Sequence, residues 1–278
     1  MKKVTLILIV ILTNMLNAGA ERAAQVQAEN QPVADQGNGY YRNPVLAGNY
    51  GDPTVVKVDR DYYMAFSRGN GFVLWHSRDL VNWQPVIRHT FKDLGGIWAI
   101  DIQYVDGKYY IYMPCGEWPE RDREHYRANF VTWSEQPEGP WSEPVRVDTQ
   151  YIADNFYTGI DPGFIQTPEG DKFLYTDHGF FMPLSSDGLR AAGLPRVVYD
   201  GWTYPENWIV QGKCLESPKL LRKDGWYYMV SAMGGTSGPS TAHMAVTARS
   251  KSPTGPWTDS PYNPLVHTYS VEETWWHQ

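Results

Sequence analysis

One pattern recurs four times along this chain of 278 residues. Each copy opens with an acidic residue and continues as an alternating apolar run, a polar turn, an aromatic pair and a second apolar run. The opening acids, spaced by 49, 60 and 55 residues, are Asp52, Asp101, Asp161 and Glu216. Alternation of β-branched and aromatic residues on both sides of a tight turn is typical of a β-hairpin. Each copy therefore predicts one hairpin.

Two further signals complete each repeat. Tight hairpin turns are predicted at Asp106-Gly107, Gly170-Asp171 and Asp224-Gly225. Segments that end in tryptophan then follow three of the hairpins and predict an outer pair of strands, at residues 75–83, 133–141 and 248–257. The third repeat keeps only a weak version, between Ser185 and Val198.

Four strands per repeat at a period near fifty residues indicate a β-propeller, in which the blades surround a central axis. We therefore predict an all-β fold, and the 12 Trp, 19 Tyr and 9 Phe residues agree, because aromatic side chains favour strands. The first strand of each repeat is expected to lie innermost. The four acids would then face one central depression.

The N terminus has the order of a secretory signal peptide: two lysines, an apolar stretch over residues 4–16 and small residues at 18–20. We expect residues 1–20 to be removed, 21–40 to form a flexible leader and 41–278 to form the propeller domain. The apolar stretch is shorter than the roughly 20 residues that span a bilayer. A secreted or periplasmic protein without a membrane partner is the prediction.

The net charge limits the expected partners, and the cysteine content limits the possible disulfides. Without residues 1–20 the chain keeps 22 basic and 31 acidic residues, a net charge of −9. Nucleic acid is therefore not an expected partner. Cys115 and Cys214 are too few for a disulfide framework, so they form either a single bridge or two buried thiols.

The four acids allow two interpretations. An acid before a strand is most often a turn former, and duplication can copy it into every repeat. Acids that converge on one depression repel each other and shift their pKa values, which is common at catalytic sites. Hydrolysis of a glycosidic bond needs one protonated and one ionised carboxyl. Glu216, beside apolar Leu215 and Pro218, suits the acid, and Asp52 suits the ionised group.

Several short segments, in this order and spacing, resemble glycoside hydrolase family 43 over roughly residues 42–278. They are Asn43-Pro44 with Gly51-Asp52-Pro53, and the segments 77–83, 98–101, 159–162, 215–218 and 252–257. The resemblance implies a five-bladed β-propeller and an inverting hydrolase of plant cell wall polysaccharides or oligosaccharides, such as a β-xylosidase or α-L-arabinofuranosidase. It implies that Asp52 is the general base, Glu216 the general acid, and Asp161 the residue that raises the pKa of that acid. A non-catalytic glycan-binding propeller is the alternative.

The resemblance also implies substrate contacts. Trp98 would be an aromatic platform for a sugar, with a packed core tryptophan as the alternative, and Asp101 would line the cavity. Ile100 stands where the family commonly has proline, so the local loop shape is expected to differ. His178 and His243 are either structural or in contact with substrate.

Only four complete repeats precede Gln278, so we expect the fifth blade to be missing from these residues and the four blades alone to be marginally stable. The family's central histidine would lie in that blade. The resemblance thus allows a central calcium ion. No cofactor is expected to be required, and no metal-binding cluster is evident in the sequence.

Overall fold

The computed structural model describes residues 33–121, 127–148, 158–208, 210–235 and 243–267, and the predicted signal peptide lies outside them. In these ranges the regular structure is β-strand, apart from one short 3-10 turn at Asp177–Gly179. No helix within them is long and apolar enough to cross a membrane. Residues 33–40, the described part of the predicted leader, include a bridge between Asp35 and Tyr41.

Each of the four repeats forms one antiparallel sheet. The first sheet contains β1 (Thr54–Val58), β2 (Asp61–Ser67), β3 (Gly71–Ser77) and β4 (Gln84–Thr90). The second contains β5 (Gly95–Ile97), β6 (Asp101–Val105), β7 (Lys108–Glu117), β8 (Ala128–Ser134) and β9 (Val145–Arg146). The third contains β10 (Gly163–Gln166), β11 (Lys172–Tyr175), β12 (Phe180–Pro183) and β13 (Arg196–Val197). The fourth contains β14 (Leu215–Lys223), β15 (Trp226–Met233), β16 (Met244–Ser250), β17 (Thr258–Asp259) and β18 (Val266–His267).

The predicted turns at Asp106-Gly107 and Asp224-Gly225 are confirmed as two-residue hairpin loops. Their aspartates have φ of 51°, the left-handed conformation that such a loop requires. The third hairpin differs from the prediction. Gln166 pairs with Lys172, so its loop has five residues, and the backbone N–H of Thr167 donates to the carbonyl of Asp171 within it.

The first strands of the repeats lie innermost, as predicted. β6 contacts both β1 and β10, and β10 contacts β14. The all-β propeller arrangement is therefore confirmed. Four blades lie within the described residues, which do not include a fifth.

Apolar side chains fill the spaces between successive blades. Along β7, Tyr109, Ile111 and Met113 pack towards the first blade, while Tyr110 and Tyr112 pack towards the third. Because successive side chains of a strand point to opposite faces, a strand buried on both faces is apolar at nearly every position. A third cluster, which includes Tyr175 and Met229, joins the third and fourth blades.

The two cysteines are free thiols in the structure. Cys115 is buried and its Sγ donates to the carbonyl of Gly95 at 2.7 Å, while Cys214 is partly buried. Of the two arrangements considered from the sequence, the structure therefore has unpaired thiols and no bridge.

The third and fourth blades lie close together at Gly163, the first residue of β10. A Cβ added there would lie 1.7 Å from the backbone oxygen of Pro218. Gly163→Ala should therefore force the two backbones apart and lower the free energy of unfolding by about 2 kcal/mol or more. Urea unfolding measures this loss. Gly51→Ala is the control, because a Cβ at Gly51 meets no atom within 4 Å, and an equal loss in both variants would contradict the close approach.

Candidate active site

A cavity of about 340 Å³ opens where the inner strands begin. All four blades contribute to its lining, through Asp52, Pro53, Trp98, Ala99, Ile100, Asp161, Glu216, Ser217, Lys219, Val230, Ser231, Ala232, His243, Met244 and Ala245. The structure thus brings together the three predicted catalytic carboxylates and Trp98.

Two of these carboxylates stand on backbone of unusual conformation. Asp52 has φ of 53° and Asp161 has φ of 57°, and each precedes a proline at the start of an inner strand. Aspartate is among the few non-glycine residues that adopt this left-handed region, at some cost in free energy. Such strain is found most often at functional sites.

Glu216 reaches the cavity through a bulge in β14. Glu216 lies opposite Ala232 and Lys219 lies opposite Val230, so the two residues between them on β14 match the single residue Ser231 of β15. Directly opposite residues share a face of the sheet, and Val230 and Ala232 share one because they are two apart. The bulge therefore places Glu216 and Lys219 on the same face.

The cavity raises the pKa values of two of its carboxyl groups, Asp161 and Glu216. The pKa of Asp161 is raised to about 7, first by burial and then by the negative charges of Glu216, Asp177 and Asp52, against the lowering effect of Lys219. Burial also raises the pKa of Glu216, and the positive charge of His243 opposes this rise. The negative charge of Glu216 acts directly on Asp161, so the two carboxyls titrate as a coupled pair.

Asp101 lies beneath the cavity and is not among its lining residues. Only 1% of its surface is exposed. Its Oδ1 accepts a hydrogen bond from Thr54 Oγ1 at 3.0 Å, and its Oδ2 accepts from Gln103 Nε2 and the backbone N–H of Phe164, both at 2.9 Å. Asp101 thus does not line the cavity as expected, because protein groups surround both of its oxygens.

Trp98 is not a core residue. Its side chain lines the cavity and is 38% exposed. The guanidinium of Arg127 lies 5.3 Å from its ring centre. Its exposed ring is therefore available to stack on a ligand.

Sequence reasoning missed Lys219 and did not decide on His243. No pattern in the sequence marks Lys219, because the bulge that turns it towards the cavity is not visible from strict alternation. His243 lines the cavity, and its Nδ1 lies 2.6 Å from the carbonyl oxygen of Gly235. That nitrogen must donate, since a carbonyl oxygen only accepts, and Nε2 is then the acceptor of the neutral ring.

Among the described residues, no group of three or more His, Cys, Asp or Glu side chains is arranged to hold a metal ion.

Comparison with known proteins identifies the family. The sequence model of glycosyl hydrolases family 43 matches residues 41–278. The chain belongs to this family. A xylan 1,3-beta-xylosidase from Vibrio is 29% identical over 81% of the chain, and a non-reducing end alpha-L-arabinofuranosidase from Bacteroides ovatus is 28% identical over 81%.

The solved structures agree with the fold. The family 43 protein BlXynB from Bacillus licheniformis matches 81% of the chain at 32% identity, with a TM-score of 0.68. The chain spans less than half the length of these relatives: 43% of the Vibrio protein, 41% of the Bacteroides protein and 44% of BlXynB.

The raised pKa of Asp161 predicts a pH-dependent free energy of unfolding. A carboxyl whose pKa in the folded state is about 7, against an ordinary 3.8, favours folding at low pH, and this contribution is lost as the pH rises towards 7. Asp161→Asn should therefore stabilise the protein at pH 8 by up to about 4 kcal/mol, and little at pH 4. Urea unfolding at both pH values measures the difference. Asp171→Asn, on an exposed loop of the same blade, is the control, and an Asp161→Asn effect independent of pH would contradict the raised pKa.

Proposed function

We propose that this protein is an inverting glycoside hydrolase that cleaves O-glycosidic bonds in plant cell wall polysaccharides or oligosaccharides. The observation that carries the proposal is the convergence of three carboxylates, from three blades, on one cavity where two of them have raised pKa values. Glycoside hydrolysis needs this mixture of protonated and ionised carboxyls.

Glu216 is the proposed general acid. Burial raises its pKa, which favours the protonated form that can deliver a proton to the glycosidic oxygen as the bond breaks. Asp161 assists, because its negative charge, once formed beside Glu216, favours the protonated form of the acid. Asp161 is thus coupled electrostatically to both Glu216 and Lys219.

Asp52 is the proposed general base. It lies in the first blade and Glu216 in the fourth, and both line the cavity. In an inverting enzyme the base removes a proton from a water molecule that attacks the sugar from the face opposite the acid. The anomeric carbon takes the water oxygen, the leaving oxygen takes the proton of Glu216, and Asp52 keeps the proton of the water.

The substrate class comes from the relatives. The names of the Vibrio and Bacteroides proteins specify a β-xylosidase and an α-L-arabinofuranosidase. We propose a pentose at the cavity, as in xylan breakdown, with the exposed ring of Trp98 stacked on the sugar. The proposal requires no cofactor, and export follows from the signal-peptide order of residues 1–20.

Substitution of Glu216 tests the role of the acid. Glu216→Gln keeps the side-chain size but removes the proton, so turnover of xylobiose should fall on the order of 10³-fold. The fall should be much smaller for a nitrophenyl xyloside, because its leaving group needs little protonation. Asp52→Asn should slow both substrates equally, since water attack is needed for each. Glu169→Gln, on an exposed loop, is the control.

Stereochemistry is the second readout of the same experiment. NMR of the first product should show inverted anomeric configuration. Retention would contradict the role of Asp52. A wild-type protein that binds xylose oligomers without hydrolysing them would instead support the glycan-binding alternative.

A further inference from the structure

The carboxylate of Asp101 joins the inner strands of all four blades. Asp101 begins β6 of the second blade. It accepts hydrogen bonds from Thr54 of the first blade and Phe164 of the third, and its Oδ1 lies 3.3 Å from Lys219 Nζ of the fourth. No bulk solvent competes for these bonds, because Asp101 is 1% exposed.

Each contact lies close in sequence to a proposed catalytic acid. Thr54 follows Asp52 by two residues, and Phe164 follows Asp161 by three. Lys219 follows Glu216 by three, across the bulge that turns both residues to the cavity. A shift of the Asp101 carboxylate would therefore be transmitted to all three acids.

The ammonium group of Lys219 contacts oxygen atoms of the second and third blades. Its Nζ donates to the carbonyl oxygens of Ile100 at 3.0 Å and Pro162 at 2.9 Å, and lies 3.3 Å from Asp101 Oδ1. An ammonium group has three donors and no acceptor. Two carbonyl oxygens and the Asp101 carboxylate therefore hold the ammonium group in place, and Lys219 acts on the carboxyls of the cavity through its charge.

We propose that Lys219 and Asp101 form a positioning pair, which fixes the three catalytic carboxylates around the cavity and supplies the positive charge that lets them stand together. This inference rests on the proposed hydrolase function. It deepens that function by assigning two positioning residues to the same site.

The charged groups around Lys219 determine how its removal changes the pKa values of the cavity carboxyls. The acidic groups at or near the cavity are Asp52, Asp101, Asp161, Asp177 and Glu216, and the titratable basic groups are His178 and His243. The charge of Lys219 lowers the pKa of Asp161 against the effect of three of these acids. Without it, the last proton of the coupled Asp161 and Glu216 pair should be held to higher pH.

The first test is a double-substitution cycle measured by urea unfolding, which needs no catalytic activity. Lys219→Met leaves the Asp101 charge buried and unpaired, so it should be strongly destabilising. Adding Asp101→Asn removes that charge. The double variant should therefore lose less stability than the sum of the two single variants, whereas simple additivity would contradict the pair.

The second test is the pH dependence of kcat for a xyloside. Lys219→Met should lower kcat on the order of 10²-fold through misplacement of the acids. It should also move the alkaline limb of the profile on the order of one unit to higher pH. Lys219→Arg keeps the charge, so its alkaline limb should stay at the wild-type pH.

Lys172→Met is the matched control. Lys172 is a buried lysine, bonded to Asp106 at 2.9 Å and to the carbonyl of Ser186 at 2.8 Å, but it does not line the cavity. Its loss should lower stability without moving the pH profile. A Lys219→Met profile that likewise does not move would overturn the positioning role. An inactive wild-type protein would refute the proposed function, and the urea cycle would still decide whether the pair exists.

Discussion

The burial of one carboxylate among four inner strands is the constraint on which the rest of this structure depends. A buried charge without partners costs several kcal/mol, so Asp101 requires its hydrogen bonds and the Lys219 ammonium. Apart from Gln103 of its own blade, those partners come from the first, third and fourth blades, and each lies two or three residues after a cavity-lining acid. Packing between blades supplies most of the stability, but it is non-directional. The polar contacts of Asp101 fix the direction and register in which the inner strands meet.

The cavity that Lys219 lines contains several negative charges, which lower the stability of the folded state. Asp52, Asp161 and Glu216 repel each other there, and burial adds to the cost of ionising Asp161. A surface that only binds neutral sugars has no need for such a cluster. An acid catalyst does, because a raised pKa keeps a proton available at neutral pH. The free energy that the protein loses by placing these acids together is therefore an argument for a catalytic role. The positive charge of Lys219 reduces that loss.

The sequence predicted the elements that repeat and missed the ones that break the repeat. Period-two alternation predicted the hairpins, and Asp-Gly pairs predicted two of their turns. Thr167 closes the third turn with side-chain and backbone bonds to Asp171, a local alternative that alternation does not reveal. The bulge after Glu216 likewise reverses the expected side of Lys219. Asp101 occupies the same position in its repeat as the other acids, so the repeat alone does not predict that it is buried. Its burial results from contacts with the neighbouring blades.

The backbone conformation of the aspartates distinguishes those that form hairpin turns from those that enter the cavity. At Asp59, Asp106 and Asp224 the left-handed conformation belongs to two-residue hairpin loops, whose geometry requires it. Asp52 and Asp161 adopt the same conformation at the opposite ends of their strands, where no such loop imposes it. Glycine would adopt it at lower cost but would carry no carboxylate. Duplication alone therefore does not account for these two acids: their strained backbone is retained where the side chain enters the cavity, while Asp101 in the same register has no positive φ and is buried.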